Sequence, residues 1–75
     1  MLYVPTTTAE AKIREILSHH ETAVVVEAGD SAEILSVANY PSACREYYIG
    51  RLVLAVFRRE ADLDGRLAIA RARAQ

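Results

Sequence analysis

The sequence predicts an α+β domain: a small β-hairpin or three-stranded antiparallel sheet with an N-terminal amphipathic helix and one or two C-terminal helices, assembled as a dimer. Three observations carry that expectation. Apolar residues recur at helical spacing after a threonine cluster, two β-branched runs meet at a glycine turn, and from Ile49 onward apolar residues alternate at intervals of four and three.

Thr6, Thr7 and Thr8 lead into Ala9-Glu10-Ala11-Lys12-Ile13-Arg14-Glu15-Ile16-Leu17. Thr7 and Glu10 have the spacing of a capping box, so a helix is expected to open there. Ala9, Ile13, Ile16, Leu17 and His20 form one apolar stripe on an otherwise charged rod. Ala23-Val24-Val25-Val26 follows as a strand, because consecutive β-branched side chains crowd a helix but suit a pleated surface buried on both faces. Gly29-Asp30 ends it, and Ile34, Leu35 and Val37 read as the returning strand of a hairpin. Leu2-Tyr3-Val4 reads as a third, edge strand that stops at Pro5, since proline cannot donate to a ladder.

Asn39-Tyr40-Pro41-Ser42 is turn chemistry, with Ser42 placed to cap a helix from Ala43. Ile49, Val53, Val56, Glu60, Leu63, Leu67, Ala70 and Ala74 then make a heptad seam broken only at Glu60. One helix over 43–74 would run about 48 Å. Asp62 as a cap and the low helix propensity of Gly65 favour two helices instead, 43–60 and 63–74. The expected organisation is a compact αβ domain with a dimerisation surface over 1–60 and a helical arm over 61–75.

A chain of 75 residues buries only about 60% of its unfolded surface. Thirteen of its 39 apolar residues are alanine, and the single cysteine, Cys44, allows no internal disulfide. Leu52, Val53, Val56 and Phe57 nevertheless exceed what a hairpin and one helix can bury, which calls for a second chain. Val24, Val26, Ile34, Ile49 and Val53 are the expected dimer interface.

The net charge of −1 excludes a strongly basic polyanion binder, but the charge is unevenly placed. Residues 1–40 hold two basic against six acidic side chains, a balance of −4; residues 41–75 hold seven arginines against four acids, a balance of +3. Arg59, Arg66 and Arg73 stand seven apart and would form one stripe on a continuous helix.

Catalytic chemistry is not expected. Adjacent His19 and His20 would point about 100° apart on a helix and cannot converge on one metal ion. Ser18 and Ser42 lack a paired base, and Gly29, Gly50 and Gly65 are too dispersed for a phosphate-cradling loop. No catalytic residue, metal or cofactor is assigned, and Tyr40, Tyr47 and Tyr48 are read as packing residues. The start has neither the basic stretch nor the apolar core of a leader, and the longest apolar run, Leu52 to Phe57, is far short of the roughly 20 residues that span a bilayer. A cytoplasmic protein without membrane contact is expected.

The words Thr7-Thr8-Ala9-Glu10-Ala11-Lys12-Ile13-Arg14-Glu15-Ile16-Leu17, then Val24-Val25-Val26 and Ile34-Leu35-Ser36-Val37 split by Gly29, then the tyrosine-bearing Tyr40 to Tyr48 segment, resemble the prevent-host-death (Phd/YefM) antitoxins of bacterial toxin–antitoxin pairs. Leu52 to Leu67 is similar to the region with which that family holds a toxin. The resemblance implies a non-catalytic, dimeric regulator that neutralises a partner protein by occlusion, with Leu52, Val56, Phe57, Arg59, Leu63, Arg66 and Leu67 on the partner. It also implies binding to its own promoter DNA. Glu10 stands where the family commonly carries arginine, which leaves Lys12 and Arg14 to meet phosphates. The alternative expectation is a small inhibitor or adaptor encoded by a phage or mobile element. Such a protein would block a host or defence complex without binding DNA, its acidic first half mimicking nucleic-acid phosphates.

Overall fold

Thr6, one residue earlier than the sequence suggests, caps the first helix. Its hydroxyl accepts from the Ala9 amide at 3.1 Å, and α1 runs Thr7–His19. Glu10 is thereby released from capping and turns to arginines instead, as described below. In the computed structural model, which describes residues 3–38, 40, 46–59 and 63–74, the chain continues through β1 (Thr22–Ala28), β2 (Ser31–Val37), β3 (Tyr47–Tyr48), β4 (Arg51–Arg58) and α2 (Leu63–Ala74). The class is α+β: one four-stranded antiparallel sheet in the order β2-β1-β4-β3, with a helix at each end of the chain.

β1 is central and buried on both faces, as its valine run requires. Ala23 and Val25 join Ile13, Ile16 and Leu17 of α1, Phe57 of β4 and Leu67 of α2 in one core, while Val24 and Val26 join Val37 on the opposite face. Half-buried Leu35, Tyr40, Tyr48, Val53 and Val56 pack on that second cluster, and the Tyr40 and Tyr48 rings meet at 5.9 Å. Within the segment expected to form a separate arm, Leu67 belongs to the main core, 1% exposed, and half-buried Leu63 packs against that core.

Two expectations of secondary structure are corrected. Tyr3 and Val4 are not a strand; Tyr3 packs on the core beside α1, and Leu2 lies outside the described residues. The segment expected as a helix over 43–60 is a β-hairpin within its described part. Leu52 to Phe57 is a continuous apolar run short enough for a doubly covered strand, and Ile49-Gly50 turns the chain back onto it. The seam imitates a helix because β4 is bulged. Val25 pairs with Ala55 but Val26 pairs with Val53, so Leu54 is the extra residue and packs with Ala55 on the helix-bearing side. Residues sharing one face of a regular strand differ by an even number; the bulge sets Val53 and Val56 three apart on the same face. The expected caps Ser42 and Asp62, together with Cys44 and Glu60, fall outside the described residues.

Candidate interaction surface

The β3–β4 hairpin ends in the two-residue turn Ile49-Gly50, between paired Tyr48 and Arg51. Both turn residues have positive φ, 55° for Ile49 and 72° for Gly50, the type I′ pattern that suits the twist of a hairpin. Asparagine or glycine normally takes the first position; a β-branched side chain there is strained. Ile49 is also 73% exposed and Tyr47 58%. Leu52, opposite Tyr47 in the register, is half-buried and completes an apolar patch at the tip.

This tip stands on a braced base. Arg51 reaches back across the sheet, its Nε donating to the Glu27 carbonyl at 3.0 Å and its Nη2 to the Glu33 carboxylate at 3.1 Å. The Val53 amide donates to the Glu46 carbonyl at 2.9 Å, continuing the hairpin ladder past the two residues of β3.

The two arginines expected to face a protein partner, Arg59 and Arg66, both make contacts within the fold. Arg59 Nε donates to the Leu17 carbonyl at 2.8 Å, answering one of the acceptors left over at the end of α1. Arg66 donates to the Val56 carbonyl at 2.9 Å on the outer side of β4, and its guanidinium lies 4.9 Å from the centre of the Phe57 ring. Arg14 bonds Glu10 at 3.0 Å and also Asp64, while Arg71 bonds Glu10, so one ion-pair cluster fastens α2 to α1. The arginines hold the Glu10 carboxyl below the usual glutamate range, Arg14 foremost and then Arg71; Asp64 and Glu10 in turn raise Arg14. Burial pushes the Tyr3 hydroxyl up.

The residues expected to bind a partner therefore divide. Phe57 and Leu67 are buried in the core, and Leu63 packs against it half-buried. Val56 lies half-buried on the second face. Of that set Leu52 alone lies at the tip. Among the expected dimer contacts, Val24 and Val26 are fully buried within the chain, Val53 packs on them, Ile34 lies half-buried on β2 and Ile49 is open to solvent. Lys12 sits 3.9 Å from Glu15 on the exposed side of α1, and Arg14 is committed to Glu10 and Asp64.

Among the described residues, no helix is long and apolar enough to cross a membrane, and no three His, Cys, Asp or Glu side chains converge in a metal-binding group. Comparison with protein-family models, with curated proteins and with solved structures finds no match. Sequence reasoning missed the exposure of Tyr47 and misread the turn beside it. The available signal was the Ile49-Gly50 dipeptide between Tyr47-Tyr48 and Leu52-Val53, two apolar pairs at hairpin distance from a glycine.

Proposed function

We propose that this chain is a non-catalytic regulator that acts, in the manner of an antitoxin, by binding and occluding a partner protein, and that Tyr47, Ile49 and Leu52 form the contact. The single observation behind this reading is Ile49, which combines a left-handed backbone with 73% exposure. Neither feature helps the isolated fold: the backbone costs about 1–3 kcal/mol and the side chain gains little burial. Both suit a rigid apolar finger entering a pocket on another protein, where a small number of central apolar anchors carries most of the binding energy.

Two further observations narrow the reading. Two of the six acids of the first half are paired with arginines of the second, Glu10 with Arg71 and Glu33 with Arg51. This weakens the alternative in which an acidic half imitates nucleic-acid phosphates. Arg14 is occupied by Glu10 and Asp64, so promoter binding is no part of the proposal.

The test is Ile49→Asn combined with coexpression against the product of each adjoining reading frame, scoring growth and copurification. Asparagine tolerates the left-handed conformation, so the variant should melt higher than the parent while losing the partner and the protection. A variant that keeps full partner binding removes the tip from the mechanism.

A further inference from the structure

The two outer edges of the sheet are treated differently. On the β4 side, β3 covers Arg51 and Leu52, the Glu46 carbonyl takes the Val53 amide and Arg66 takes the Val56 carbonyl. On the other side, β2 presents seven residues in unbroken register with β1. The two-residue turn makes Ala28–Ser31 a hydrogen-bonded pair, and alternation along the ladder then turns the amides and carbonyls of Ala32, Ile34 and Ser36 away from β1. The bond from the Arg59 amide to the Glu21 carbonyl gives the same phase independently, because it directs the Val25 backbone toward β4 and not toward Ile34. Among the described residues, nothing accepts from or donates to those outward groups. The strand also carries no lysine, arginine, proline or bulge, devices that ordinarily guard a sheet edge, and its one charged side chain, Glu33, is paired with Arg51.

We infer that β2 is a dimerisation strand, its outer edge pairing antiparallel with β2 of a second copy of this chain, with Ile34 on the two-fold axis. The occupant follows from self-complementarity. Centred on Ile34, the register pairs all seven residues, sets the outward groups of Ala32 against those of Ser36 in the second copy, and makes about six backbone hydrogen bonds. Glu33 then lies opposite Leu35 of the other copy, with its carboxylate already held by Arg51. Sliding one step toward the turn would face Glu33 against Glu33, which is unfavourable for like charges. Sliding the other way leaves Ser31 and Ala32 without strand partners. On the helix-bearing side an open cleft of about 560 Å³, lined by Tyr3, Val4, Ala9, Ala32, Ile34 and Leu54, leaves room beside the edge. Pairing covers Ile34 and Leu35, both half-buried in the single chain. The dimer forms one eight-stranded sheet with a β3–β4 tip at each outer end, so each copy keeps its own contact patch.

The experiment is sedimentation equilibrium on the full chain and on two charge variants at exposed positions that face each other across the axis, Ala32→Lys with Ser36→Lys and Ala32→Glu with Ser36→Glu. The parent should be a dimer. Each variant should be a monomer with the parent's circular dichroism, and an equimolar mixture should recover the dimer as a heterodimer. Hydrogen exchange provides a reading free of substitutions: the Ala32, Ile34 and Ser36 amides should be protected in the parent and lose protection on dilution to monomer. A monomeric parent up to its solubility limit, a lysine variant that remains dimeric, a mixture that remains monomeric, or exchange at these amides that ignores concentration would each overturn the inference.

Discussion

The two hairpins of this sheet solve the same problem with opposite materials. β1 and β2 join through Gly29-Asp30, where glycine supplies a positive φ of 65° at the first turn position without a side chain to object, and the ladder then runs seven pairs without a fault. β3 and β4 join through Ile49-Gly50, pair over two residues in β3, and reach β1 only through a bulge at Leu54. The first hairpin is locally consistent: turn chemistry, β propensity and register agree. The second is held by its surroundings, namely Phe57 in the core, Arg51 across the sheet and Arg66 at the outer edge. A strained, irregular hairpin braced by distant residues is where a contact surface is expected, because strain persists only when the rest of the structure supports it.

This contrast breaks most severely at Phe57. Phe57→Ala removes the β4 anchor beneath both helices and should cost about 3–5 kcal/mol in urea unfolding, whereas Leu35→Ala on half-buried β2 should cost well under that. Deleting Leu54 sharpens the contrast at the bulge. Loss of the extra residue restores even alternation and leaves Val53 and Val56 on their present face, so the protein should fold with a loss of about 2–3 kcal/mol from missing packing.

The turns respond in opposite directions. Gly29→Ala meets no atom within 4 Å, so only its backbone resists, and a loss of about 1–2 kcal/mol is expected. Ile49→Asn should gain roughly 1 kcal/mol by the same reasoning, read as a raised thermal midpoint.

The smallest effect concerns the joint between the helices. Arg14 and Arg71 lower the Glu10 carboxyl in the folded state, so its contribution is complete above the unfolded glutamate value and is lost as pH falls through the folded one. Glu10→Gln should therefore weaken the protein near neutral pH. Its difference from the parent should shrink toward zero as pH falls below the ordinary glutamate range, and also with added salt, since the cluster lies near the surface. Urea midpoints at neutral and acid pH, with and without salt, measure this directly.

How much of the fold was legible follows the same division. The stripe Ile13, Ile16 and Leu17, the valine run of β1 and the glycine turn each carry their signal within a few residues, and the structure places them as read. The stretch after Val37 does not. Its seam joins a turn residue, Ile49, to a bulged strand, Val53 and Val56, and then to a true helix, Leu63 and Leu67. The spacing of four and three survives this patchwork because the bulge adds one residue to a period of two. For the candidate site, Ile49 and Leu52 were selected for their apolarity, under the wrong secondary structure. Tyr47 was assigned to packing because tyrosines usually pack, and nothing local marks this one as exposed.

By itself the sequence determined the α+β class, the first helix and the first hairpin, since helical stripes, β-branched runs and glycine turns are short-range properties of the chain. Only the tertiary structure decided that residues 51–58 extend instead of coiling, that arginines far along the chain pair with Glu10 and Glu33, and that β2 is the outermost strand on its side of the sheet. Each of these depends on what lies opposite in space. The Glu10–Arg71 pair, 61 residues apart, exists only once both helices have settled on the same sheet face.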